Sequence, residues 1–164
     1  MKTLKYFFGI AVFIAFGCAT KSGVVGDNDQ EKQKQTINRL MDDWHKAATD
    51  ADLNAYFDKM TDDAVYLGTD ITERWTKQQF YEFCKPHFDK GKAWDFTPSN
   101  RTVYFSEDMK TAWFEESLDT WMGPCRGSGV LLYKNGEWKI AHYNLAVAVA
   151  NDVIKQYIEL LKKE

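Results

Sequence analysis

The sequence predicts an α+β domain: helices first, then a curved antiparallel sheet carrying them on one face, then one more helix. Three observations carry this. Apolar residues recur at helical spacing through the first half of the chain, the period drops to two beyond Gly91, and short turn-like segments punctuate the second half.

The helical half opens at Gln30. From there to Asp50, Ile37, Leu40, Met41, Trp44 and Ala48 repeat on one face, which predicts a long amphipathic helix. A short helix follows, with Leu53, Tyr56, Phe57 and Met60 on one side. "DDAVYLGTD" takes strand character at Ala64–Thr69, between acidic turn residues. "TKQQFYEFCKPHF" begins with Thr76 and Gln79 in capping-box spacing and carries Phe80, Phe83 and Cys84 on its apolar face. Pro86 should kink or end this third helix.

In the second half, "SEDMK", "MGP" and "KNGE" separate four strand-like runs, each a plausible hairpin loop. "NDVIKQYIELLKK" closes the chain as a helix capped by Asn151 or Asp152, with Ile154, Tyr157, Ile158 and Leu161 as its apolar stripe.

A two-residue turn at Asn135–Gly136 pairs Tyr133 with Trp138, Leu131 with Ile140, Gly129 with His142 and Gly127 with Asn144. His142 and Asn144 then project over two glycines, into a hollow that reads as a pocket. With Gly123–Pro124 as the preceding turn, Phe114, Glu116, Leu118 and Thr120 join that face. A carboxylate buried there suits proton transfer with His142, so Glu116 and His142 are the candidate catalytic pair. A three-residue loop would instead bring Glu115 and Asp119 inside. Arg126, on the outer face, would then balance Asp119 in the first register. Trp44, Tyr66, Trp75 and Phe114, with Asn144, Gly127 and Gly129, are the candidate ligand-binding residues, although large aromatics also serve as core.

Composition narrows the partners. Apolar residues make up 45% of the chain, which is enough for a real core, and the net charge of −3 comes without a basic stripe. Nucleic acid is therefore not an expected partner. His45 and His87 lack a second ligand at metal-site spacing, and "GSG" lacks the lysine and helix of a phosphate loop, so neither metal nor cofactor is expected. Cys84 and Cys125 are equally compatible with one disulfide or two buried thiols.

The first residues concern location. Lys2 and Lys5 precede an apolar run, Tyr6–Gly17, too short for a comfortable membrane span and laid out as an export signal. Cys18, directly after a small residue, resembles the lipidation site of a bacterial lipoprotein; a plain signal peptide or an uncleaved anchor, with Cys18 incidental, is the alternative. Residues 1–18 thus read as signal, 19–29 as a polar tether and 30–164 as the domain. The expected location is the cell envelope, on either its periplasmic or its surface face.

The long first helix, the short second one, "DDAVYLGTDITERW" leading into a third helix, and "AWFEE", "CRGSGVL" and "GEWKIAHYNL" on successive strands resemble the SnoaL-like branch of the nuclear transport factor 2-like superfamily, over about residues 30–150. The resemblance implies a cone of curved sheet closed by helices, the cystatin-like arrangement also seen in ketosteroid isomerase, with a ligand pocket inside. It also implies dimerisation through the outer sheet face. Members include isomerases, dehydratases and cyclases as well as non-catalytic binding and assembly domains. The positions of the steroid-isomerase carboxylates fall at Gly68 and near Gly129, neither of which carries a proton, so catalysis would need Glu116, Asp70 or His142. The expectation is a binder of a small apolar or aromatic molecule. A Glu116/His142 enzyme and a dimeric scaffold are the alternatives.

Overall fold

The computed structural model describes residues 27–162. The expected export signal, Cys18 and most of the expected tether lie outside the described residues. Three helices lead in: α1 (Asp27–Thr49), α2 (Leu53–Asp58) and α3 (Lys77–Phe88), with strands β1 (Met60–Leu67) and β2 (Arg74–Thr76) before the last of these. Then come β3 (Thr97–Phe105), β4 (Thr111–Thr120), β5 (Gly123–Lys134), β6 (Glu137–Val147) and α4 (Ile154–Leu161). The six strands make one sheet in the order β2-β1-β6-β5-β4-β3. All neighbours are antiparallel except β1 and β6, a parallel contact that the expected antiparallel sheet did not include.

Local chemistry explains the helix ends. The Thr76 hydroxyl accepts from the Gln79 amide at 3.3 Å while the Gln79 side chain accepts from the Thr76 amide at 3.0 Å, so the predicted capping box forms. Asp52, unpredicted, caps α2 by accepting from the Ala55 amide at 2.9 Å. Helix α3 runs two residues past Pro86 to Phe88, because a proline in the last turn forfeits only one backbone bond and Phe88 is buried. α4 begins after Val153 without a side-chain cap. Asn151 and Asp152 sit in a turn instead, and none of its side chains is buried. No helix among the described residues is long and apolar enough to cross a membrane.

The hairpin register decides what faces inward. Asn135 and Gly136 form the predicted turn, both at positive φ (53° and 90°), and Tyr133 pairs with Trp138 and Leu131 with Ile140 as expected. Beyond Ile140 the pairing slips by one residue: Val130 faces His142, Gly129 faces Tyr143 and Gly127 faces Leu145. Ala141 is the extra residue of a β-bulge, and a one-residue slip exchanges the faces. His142 and Asn144 therefore point to the outer side, and Tyr143 and Leu145 go inside. The driving force is burial, since the slip puts two large apolar side chains in the core in place of two polar ones.

The β4–β5 turn falls at Trp121–Met122 rather than at Gly123–Pro124. Moving the turn by two residues shifts the pairing by four, an even number, so the expected face survives. Ala112, Phe114, Glu116 and Leu118 are all buried.

The core between helices and sheet is mostly aromatic. Trp44 stacks on Tyr56 at 4.7 Å and meets Tyr143 edge-on at the same distance, while Phe80 lies 3.8 Å from Tyr66. Cys84 and Cys125 are buried and unpaired, which resolves the choice between a disulfide and two thiols.

Candidate functional site

Two constellations on the inner face bear on function. The first is built around Glu116, whose residue is 1% exposed. Its Oε1 accepts from His45 Nε2 at 2.8 Å and from the Tyr143 hydroxyl at 3.2 Å, and its Oε2 accepts from Arg101 Nε at 2.8 Å. Arg101 also donates through Nη1 to the Asn38 carbonyl at 3.0 Å and to Asp42 Oδ1 at 2.8 Å, which ties β3 and β4 to α1. Burial acts most strongly on the Glu116 carboxyl and pushes its pKa up. The hydrogen bonds and charges of His45 and Arg101 together outweigh burial and leave the pKa lowered. A carboxylate so enclosed and so well supplied with donors is held ionised and is a poor proton acceptor.

This arrangement corrects the expected catalytic pair. Glu116 is inside, as read, but His142 is on the other face, and the histidine on Glu116 is His45 of α1. The spaces above Gly127 and Gly129 are also filled. A Cβ on Gly127 would collide with the Tyr143 hydroxyl and lie 2.9 Å from Glu116 Oε1. One on Gly129 would collide with the His142 carbonyl, carried in by the bulge, and lie 2.8 Å from the Phe114 ring. The glycines therefore admit the buried network and the bulge instead of opening a pocket.

The second constellation is a cavity of about 270 Å³ at the open end of the cone. Helix α3 supplies Phe80, Phe83 and His87. The end of β1 and the loop into β2 supply Tyr66, Gly68, Thr69 and Glu73, and β2 itself supplies Trp75. Trp94 and Phe96 come from the segment before β3, Trp121 and Met122 from the β4–β5 turn, and Leu145 from β6. The rings are aligned: Phe83 stacks on Trp75 at 4.7 Å, Trp75 on Phe80 at 5.6 Å and Phe80 on Tyr66. The walls of the cavity are thus predominantly aromatic. The Tyr66 hydroxyl makes no hydrogen bond among the described residues, and burial pushes its pKa up. A larger depression of about 680 Å³ between α1 and the β5–β6 turn is lined by exposed charged side chains such as Arg39, Asp43 and Glu137, and its wall is far more polar.

Of the expected ligand-binding residues, Tyr66 and Trp75 line this cavity. Trp44 and Phe114 belong to the core and Asn144 to the outer face, while Gly127 lies beneath the Glu116 network and Gly129 beneath the bulge and the Phe114 ring. Glu115 and Asp119 are on the outer face, where Glu115 accepts from the Tyr104 hydroxyl at 2.9 Å. Arg126 is exposed and forms no ion pair with Asp119 among the described residues. Asp70 is exposed, its pKa lowered by hydrogen bonds from Thr72. Trp94, Phe96, Trp121 and Glu73 were not anticipated. The two-residue spacing of Trp94 and Phe96 was a usable signal, whereas the turn residues meet the cavity only through tertiary packing.

A family model described as the SnoaL-like domain matches residues 37–150. No curated protein matches the sequence. Among solved structures, a nuclear transport factor 2-like protein of unknown function from Pseudomonas putida superposes with a TM-score of 0.61 at 14% identity, over 75% of this chain and 92% of its own. One from Cytophaga hutchinsonii gives 0.60 at 17% identity over 71% and 98%. A candidate scytalone dehydratase from Novosphingobium aromaticivorans gives 0.59 at 11% over 73% and 87%. At these identities the likeness is one of fold.

Proposed function

The chain belongs to the SnoaL-like domain family, and from that premise we propose that it binds a small planar molecule in the aromatic cavity at the open end of the cone. The observation that carries this reading is the wall itself. Trp75, Phe80, Phe83, Trp94 and Phe96 line a space of about 270 Å³ that the chain leaves unfilled. That volume lies just below the range of about 300–1,000 Å³ of drug-sized ligand sites, which suits a molecule of one or two rings. Proton transfer by Glu116 is not part of the reading, because its carboxylate does not line the cavity and spends its lone pairs on three donors from its own chain.

Naphthylmethanol, a neutral two-ring probe, tests the reading by calorimetry on the purified full-length protein. Saturable binding is expected, weakened roughly three- to tenfold by Trp75→Ala, the worth of one aromatic contact. Trp113→Ala, on the outer face of β4, should leave it unchanged. Absence of saturable binding, or equal weakening by both variants, rejects the proposal.

We propose further that the domain is exported and held to the membrane by a lipid on Cys18, which follows the apolar run Tyr6–Gly17. The expected tether of residues 19–29, whose last three residues already belong to α1, would then carry the cavity clear of the bilayer surface.

A further inference from the structure

The cavity wall carries one carboxylate, Glu73, and it is placed by a glycine. A Cβ on Gly68 would collide with Glu73 Oε2 and lie 2.9 Å from the Glu73 Cβ, so the absence of a side chain at position 68 lets the carboxylate fold against the end of β1. The Gly68 amide donates to the Glu73 carbonyl at 2.9 Å, which closes the loop and fixes the base of that side chain. Oε2 accepts from the Asp70 amide at 3.1 Å. Glu73 has no other side-chain hydrogen bond and no lysine or arginine partner among the described residues. No lysine or arginine lines the cavity either; His87 is the only other titratable group there besides Tyr66.

We infer that the ligand carries a positive charge: an organic cation, such as a protonated or methylated ammonium attached to one or two rings. This rests on the binding reading above and names its ligand class. Aromatic faces attract a cation through their negative quadrupole, and a half-buried carboxylate without a counter-charge adds a fixed negative partner beside them. The same carboxylate disfavours an anion, which it would repel.

A matched series separates this inference from the one it rests on. Naphthylmethylammonium, neutral naphthylmethanol and anionic naphthylacetate share the same ring system, so their affinities for the full-length protein isolate the charge. The cation is expected to bind about tenfold more tightly than the alcohol, and the acetate most weakly. Glu73→Gln should remove most of the cation's advantage over the alcohol. Gly68→Ala, whose added methyl displaces the carboxylate, should do the same without removing the acid. If the alcohol binds and the cation gains nothing, or if its advantage is undiminished in both variants, the inference drawn from Glu73 is overturned and the aromatic site stands. If no member of the series binds, the site itself falls.

Discussion

Glu116 shows how one side chain can look catalytic in sequence and serve the fold in space. A lone carboxylate on an apolar strand face demands a reason, and here the reason is Arg101 and His45, contributed by β3 and α1. Glu116→Gln removes the charge that Arg101 was buried against, and about 3–5 kcal/mol of stability should be lost with it. The pH dependence has a definite sign. The folded-state pKa of Glu116 is lowered from the ordinary 4.5, so its contribution is complete above that value and disappears as pH falls through the lower, folded-state value. Melting temperatures of the wild type and of Glu116→Gln should therefore differ most near neutrality and converge in acid. A constant gap down to the lowest pH at which both fold would refute the ionic role.

Among the elements, β6 is decisive, because its bulge at Ala141 sorts the sheet's two faces. Every residue from His142 to Val147 is placed by that single insertion. Deleting Ala141 would remove the extra residue and join Ile140 to His142, leaving Val130 opposite His142 and Gly129 opposite Tyr143, so the observed faces persist and only the local bend of the bulge is lost. Circular dichroism and thermal melts should show that the deletion variant still unfolds cooperatively, and that Ala141→Ser, which keeps the residue count, melts within a few degrees of the wild type. Loss of cooperative unfolding on deletion would mean that the observed pairing does not by itself set the two faces. The capping box of α3 and the Asn135–Gly136 turn were legible beforehand because their chemistry is contained in four neighbouring residues. The bulge was not, because nothing local to "KIAHYN" distinguishes a slipped from an unslipped strand. The choice is made by what lies across from it.

On the scale of the whole molecule, the cone has two ends with different fates. The interior near α1 and α2 is filled by Trp44, Tyr56 and Tyr143, and the end near Trp121 and Trp94 is left open. An anchored protein with such a mouth would meet ligands at the membrane's edge. Mass spectrometry of the mature N-terminus decides the anchor: a diacylated or triacylated Cys18 is expected, and an unmodified terminus downstream of it rejects lipidation. The result also bears on which chemistry reaches the cavity, since an envelope protein samples molecules outside the cytoplasm.

The sequence by itself determined the α+β class, the succession of helices and strands, the resemblance to the SnoaL-like family and the inward placement of Glu116. These follow from periodicity, from caps and turns a few residues long, and from a face assignment that survives any even shift in register. Only the tertiary structure decided that His45 and not His142 meets Glu116, that the glycines of β5 admit a buried network rather than a ligand, and that Glu73 stands beside Gly68 in an aromatic mouth. Each of these is a contact between segments distant in sequence or separated by a loop. Such contacts are selected by the burial and packing of the assembled core, a quantity that no local pattern encodes.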